Sequence, residues 1–200
     1  MNLPRFSIVV SLLVLATPLA AEETYARDIP LGLWAPPIPD DNPLTIAKVE
    51  LGTQLFFDPR LSRDNTVSCA TCHDPKKGWA NGDRYATGVR GQVGKRSAPS
   101  LVNNAYHEHQ FWDGRADSLE DQAGIPIEDP TEMDMLLEEL AGKLNDISGY
   151  KQQFQTAFGH DATPDTIKMA ITTSSSTSVK PLTCRRSRRF RHLDLPIEMV

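Results

Sequence analysis

The stretch from residue 58 to residue 105 constrains this chain more than any other part of it. It is dense in Gly, Asp, Asn and Arg and has little hydrophobic periodicity. A structureless loop this long is unusual in a compact domain and is usually functional. Something other than secondary structure must order it. Inside it lies Cys69-Ala70-Thr71-Cys72-His73, two thiols and an imidazole in one short run.

Several chemistries use such a run. A thioredoxin-like redox pair needs a βαβ context, and no strand pattern is present. A structural zinc site needs four ligands, so Cys184 and a distant histidine would have to complete it. A Cys69–Cys72 disulfide would leave His73 and the loop unexplained. Cys-x-x-Cys-His is also the attachment motif of c-type haem. There Cys69 and Cys72 would form thioethers with the vinyl groups, and His73 would reach the iron. The macrocycle would then supply the apolar surface that orders the loop.

The flanking sequence is helical. Asn42-Pro43 reads as an N-cap followed by a first-turn proline, with Leu44, Ala47, Leu51 and Leu55 on one face and an end by Asp58-Pro59. A second helix is expected over 117–123, opened by Asp117 or Ser118 and closed before Gly124 and Pro126. Asp129-Pro130-Thr131-Glu132 reads as another capped start, followed by Met133, Leu136 or Leu137, Leu140 and Leu144 at helical spacing. Further helices are expected over Tyr150–Phe158 and from Thr163-Pro164, the latter with Ile167, Ala170 and Ile171 on one face. The expected fold is all-α: a cytochrome c-like haem domain with long loops, a single domain plus an irregular tail.

Charge divides the chain. Residues 1–171 carry 15 Lys and Arg against 24 Asp and Glu, whereas residues 172–200 carry 6 against 2. The second part is expected to be a basic, disordered tail, and its 185–191 Arg cluster reads as a solvated run rather than a nucleic-acid site. At the other end, Arg5, the apolar run Phe6–Leu15 and the small residues Ala20–Ala21 read as a secretory signal peptide over 1–21. That run is too short to span a bilayer. Export to the periplasm is expected, with no membrane span after signal removal.

Haem alone does not define an activity; axial ligation and distal polarity do. Met133, Met135, His107 and His109 are candidate sixth ligands for an electron carrier. Gln122 and Glu132 are candidate distal groups for a peroxidase. Spacing does not choose between them. Taken alone, Glu132 reads as the N3 member of a capping box, Gln122 as an exposed helix residue, Trp112 as a core aromatic, and Asp113 with Arg115 as an ion pair or a propionate contact. His107 and His109 read as surface residues.

The segments LFFDPRLS, CATCH, QFWDGR and PTEM together resemble the N-terminal haem domain of bacterial di-haem cytochrome c peroxidases, including the branch that matures the tryptophan tryptophylquinone of methylamine dehydrogenase. The resemblance covers about residues 42 to 171. It implies haem c on Cys69 and Cys72, His73 as proximal ligand, Glu132 as distal acid–base, Gln122 as a distal hydrogen-bonding group, and Trp112 as an electron bridge between haems. It implies reduction of hydrogen peroxide to water with electrons from a small cytochrome c or cupredoxin, in a family that is often dimeric. The alternatives are a mono-haem c electron-transfer protein or a non-functional fragment.

Three departures qualify the resemblance. Gly88-Val89-Arg90-Gly91 lacks the histidine and tryptophan with which several peroxidases cap the resting haem, so an open pocket is expected. Ser97 stands where the family often has an asparagine calcium ligand, which leaves the calcium site in doubt. The second haem domain is not found, and a reading-frame change near residue 171 is the expectation that accounts for this; residues 22–171 are then the peroxidatic domain.

Overall fold

The computed structural model describes residues 23–27, 29 and 32–177. The expected signal peptide, Cys184 and the Arg cluster lie outside the described residues. Six α-helices follow one another: α1 (Ile46–Phe57), α2 (Cys69–Cys72), α3 (Leu119–Glu128), α4 (Leu137–Asn145), α5 (Ser148–Phe158) and α6 (Pro164–Ser176). Among the described residues no strand forms, only isolated bridges. The domain is all-α.

The core lies where α1, α4, α5 and α6 meet. Leu51, Leu55, Leu140, Leu144, Tyr150, Phe154 and Ile167 are almost wholly buried there. The α1–α6 crossing is tight. A Cβ on Gly52 would stand 1.8 Å from the Ala170 carbonyl oxygen, so only glycine fits. Beside it, the Thr173 hydroxyl donates to the Lys48 carbonyl at 3.1 Å.

Several helix ends differ from the sequence expectation. α1 is capped by Thr45, whose side chain accepts from the Lys48 amide, not by Asn42. Asn42 is buried, and its Nδ2 donates to Glu120 Oε1 (2.9 Å) and to the Met169 carbonyl (3.1 Å), tying the lead-in to α3 and α6. α3 does open at Ser118, but it runs through Gly124 and Pro126 to Glu128. A proline there costs one helical hydrogen bond; burial of Ala123, Gly124 and Ile127 along the same face offsets that loss. No helix starts at Asp129-Pro130. Asp129 instead accepts from the Thr131 amide and hydroxyl, both at 2.7 Å, in a local turn. α4 begins only at Leu137.

α5 and α6 follow the sequence closely, with Thr163 capping α6 and Pro164 in its first turn. α6 continues through Ser176, so residues 172–176 belong to the packed domain rather than to the expected tail. Thr172, Thr173 and Ser175 are buried, and their hydroxyls return hydrogen bonds to the carbonyls of Met169, Ala170 and Ile171. Such back-bonding lets poor helix formers complete a buried turn.

The long loop is ordered by short 3-10 turns at Pro59–Leu61, Pro75–Lys77, Val89–Gly91 and Asn104–Tyr106. Only a few of its side chains, Leu61, Val67, Val89, Leu101 and Ala105 among them, are both apolar and buried. The lead-in crosses it: the Tyr106 hydroxyl donates to the Trp34 carbonyl at 2.8 Å, with the two rings edge to face.

Candidate functional site

The loop and three helices enclose a cavity of about 630 Å³, within the range of sites that take a cofactor-sized ligand. Cys69, Cys72 and His73 line one side of it. α2 places the two cysteines one turn apart, and Thr71 Oγ1 accepts from the Ser68 amide to close its first turn. Both thiols are free. Burial pushes the Cys69 thiol up to about 12, with the neighbouring Cys72 adding to the rise. Burial also raises Cys72, and the Glu132 charge adds to it. Neither is a thiolate at neutral pH, which argues against a redox-active pair.

His73 is set for metal ligation through one nitrogen. Its Nδ1 lies 3.2 Å from the Trp79 carbonyl and 3.1 Å from the Pro99 carbonyl. Carbonyls only accept, so Nδ1 carries the proton and Nε2 keeps the lone pair. Burial lowers the pKa of the ring, and the two hydrogen bonds only partly oppose this. A neutral imidazole with Nδ1–H held by backbone is the ligand form. Trp79 aims its carbonyl from left-handed backbone, φ 61°, directly after Gly78 at φ 68°. A left-handed aromatic residue is rare enough to mark a constrained site.

Glu132, Gln122, Met133 and Arg115 line the same cavity. Glu132 completes no capping box. Its carboxyl is held above the ordinary glutamate value by burial first and by the Asp129 charge second, with Arg115 opposing. Its backbone is clamped from two sides. The Val89 amide donates to its carbonyl at 2.8 Å, and the Arg63 amide donates to the Met133 carbonyl at 2.9 Å. Arg90 pairs with Asp134 at 2.8 Å. Gln122 sits half-buried on α3 one turn before Pro126. Pro126 has no amide to give the Gln122 carbonyl, so the helix is loosened beside the cavity.

Trp112 is 63% exposed, not a core aromatic, and still lines the cavity rim. Its indole donates to the Ser97 carbonyl at 2.9 Å. Asp113 and Arg115 form the expected ion pair at 2.9 Å, and the Arg115 guanidinium stacks 3.5 Å from the Phe111 ring centre. Met133 and Met135 both belong to the buried core, and of the two Met133 also lines the cavity. His107 and His109 are exposed, although both reach the cavity edge. Sequence reasoning missed Asn81, whose buried carboxamide bonds only to backbone groups, and Gly88 and Pro99, which act through their own backbone; the glycine was the one legible signal.

Two free thiols one turn apart and a neutral imidazole on one large cavity, in an all-α domain, define a c-type cytochrome domain. The Di-haem cytochrome c peroxidase family model matches residues 46–188. The chain belongs to that family, whose cofactor is haem c. It is 48% identical over 125 residues to the methylamine utilization protein MauG of Methylorubrum extorquens, covering 62% of this chain and 35% of that protein. It is 36% identical over 179 residues to the cytochrome c551 peroxidase of Pseudomonas aeruginosa, covering 85% of this chain and 51% of that one. The crystal structure of a MauG-like protein associated with microbial copper homeostasis superposes with a TM-score of 0.70 at 29% identity, over 78% of this chain and 47% of the other. The chain thus spans about a third to a half of the length of these relatives.

Proposed function

We propose that residues 46–176 form the peroxide-reacting haem c domain of a periplasmic cytochrome c peroxidase. The observation that carries this reading is one cavity lined by Cys69, Cys72 and His73 and by the pKa-raised carboxyl of Glu132. Haem c, held by Cys69 and Cys72 with His73 toward its iron, would supply the electrons that cleave the peroxide O–O bond. The overall reaction consumes one peroxide, two electrons and two protons and yields two waters.

The residues of the chain then manage protons and position. Glu132 takes a proton from one peroxide oxygen and returns it to the departing one, which leaves as water. Burial keeps its pKa nearer neutrality than an exposed glutamate, which suits a group that must both accept and donate. Gln122 hydrogen-bonds the bound peroxide. Arg115 limits the rise in the Glu132 pKa. Trp112, at the exposed rim, bridges this haem to the second haem of the family, which a small cytochrome c or cupredoxin supplies with electrons.

We assign one haem to this domain, because the 200 residues contain one Cys-x-x-Cys-His. The second reading, a mono-haem electron carrier, draws on Met133, whose side chain lines the cavity wall. Expressing the chain with haem maturation separates the readings. A high-spin optical spectrum that changes with one equivalent of hydrogen peroxide is expected. A low-spin spectrum unmoved by peroxide would give the carrier reading, and a chain without covalent haem would overturn both.

A further inference from the structure

Three consecutive residues, Ser97-Ala98-Pro99, touch both ends of the site through their backbone. The Pro99 carbonyl accepts from His73 Nδ1 at 3.1 Å. The Ser97 carbonyl accepts from Trp112 Nε1 at 2.9 Å. Between them, the Ala98 amide donates to Asn81 Oδ1 at 3.2 Å.

Asn81 is itself fixed. It is 6% exposed, its Nδ2 donates to the Tyr85 carbonyl at 2.9 Å, and its own carbonyl accepts from Lys77 Nζ at 2.8 Å. A buried carboxamide with both ends satisfied is a rigid strut. The groups it steadies have less support of their own. The Trp79 carbonyl, the other acceptor for His73 Nδ1, is shared with the Leu101 amide. The Trp112 indole is mostly exposed, so packing does little to hold it.

We propose that Asn81 is a positioning residue that pins the Ser97–Pro99 segment and thereby sets the His73 imidazole and the Trp112 indole together. Its relevance to turnover rests on the reading of His73 as axial ligand and Trp112 as electron carrier; the mechanical coupling does not. A firmly held Nδ1–H···O=C bond makes the imidazole more basic and favours the oxidised iron. Loosening it raises the reduction potential, and loosening Ser97 frees the indole.

The test uses the haem-loaded chain, reduced and bound to carbon monoxide so that it is diamagnetic. Solvent exchange of the Trp112 Nε1–H, assigned with Trp112→Phe, and of the His73 Nδ1–H, assigned by labelled histidine, is followed by nitrogen–proton NMR. In Asn81→Ala both protons are expected to exchange about tenfold faster or more, as for loss of one buried hydrogen bond, and the haem midpoint potential rises. Asn81→Asp keeps the acceptor for the Ala98 amide and is expected to recover part of the protection at both sites. Exchange at both protons unchanged in Asn81→Ala, or accelerated at only one, overturns the proposal. Should Asn81→Ala fail to load haem, Asn81→Leu, which keeps the volume and removes the acceptor for the Ala98 amide, decides: faster exchange at both protons supports the coupling, and wild-type exchange at both, or a change at only one, overturns it. A wild-type chain that loads haem but ignores peroxide overturns the peroxidase reading instead, and the exchange measurement still decides the coupling.

Discussion

The Val89 amide donates to the Glu132 carbonyl at 2.8 Å, and the residue before it leaves no room for a side chain. A Cβ on Gly88 would lie 2.1 Å from the Thr131 carbonyl oxygen and 2.5 Å from that of Glu132. The turn that lacks the family's capping histidine therefore serves as the seat of the Glu132 segment. Gly88→Ala must push that segment away. It is expected to cost about 1–3 kcal/mol, the range for overpacking, while haem loading persists. Peroxide turnover should fall by more than the stability loss implies, because the carboxyl moves. Urea unfolding alongside turnover of the loaded protein checks both.

Replacing Glu132 by Gln keeps the shape and removes the proposed proton carrier. Peroxide turnover is expected to fall about 100- to 10,000-fold, the usual contribution of a positioned acid–base group. In the wild type the base form exists only above a pKa that burial has raised beyond the ordinary 4.5. Turnover should therefore fall as pH drops through a midpoint above that value, and Glu132→Gln should lose this limb. Stability runs the other way. The folded state binds this proton more tightly than the unfolded chain, so its contribution is fully present below the ordinary glutamate value and is lost as pH rises through the folded pKa. Glu132→Gln should thus be the more stable protein at neutral pH. A variant with wild-type turnover would return Glu132 to a structural role.

Much of this was legible before any coordinates. Cys-x-x-Cys-His inside an aperiodic loop points to haem attachment among a few chemistries, and the Thr163-Pro164 and Ser118 starts rest on local cap physics that tertiary packing left alone. Asn42 and Asp129 were misread because an Asn or Asp before a cap-like stretch can spend its side chain elsewhere. Asn42 spends it on α3 and α6, and Asp129 on Thr131. Glu132 at N3 spacing is indistinguishable in sequence from a capping glutamate. Only the absent helix turn reveals a carboxyl left to face the cavity. The exposure of Trp112 was illegible because it depends on a backbone carbonyl contributed by a loop fifteen residues earlier.

The Tyr150 hydroxyl donates to Asp58 Oδ2 at 2.5 Å in the core behind the loop. Burial alone would raise the Asp58 pKa, but the hydrogen bonds from Arg60 and Tyr150 outweigh it and hold the carboxyl below the ordinary 3.8. Tyr150→Phe is expected to cost about 1.5–3 kcal/mol, as for a bond to a charged group. The contribution of Asp58 is present above its ordinary value and lost as pH falls through the lowered one. The deficit of Tyr150→Phe should therefore shrink in strong acid. Denaturant midpoints of both proteins across the acid range measure it; a deficit independent of pH would mean that packing, not the hydrogen bond, was lost.

Cys69 and Cys72 face the cavity from the two ends of the single turn of α2 as neutral thiols, so each can add to one vinyl group without first pairing with the other. Cys72→Ala leaves Cys69 in place, and the Nδ1–H of His73 is still held by Trp79 and Pro99. The variant is expected to retain haem through one thioether. Its alkaline pyridine spectrum should shift to the red of the wild type, because one vinyl group stays conjugated with the ring. Cys69→Ala should behave alike in that spectrum but load less haem, because Cys69 packs against the core whereas Cys72 does not. Mass spectrometry of the denatured proteins counts the attached groups directly. Equal haem content and an unshifted spectrum in both variants would mean that neither sulfur is bonded to the macrocycle.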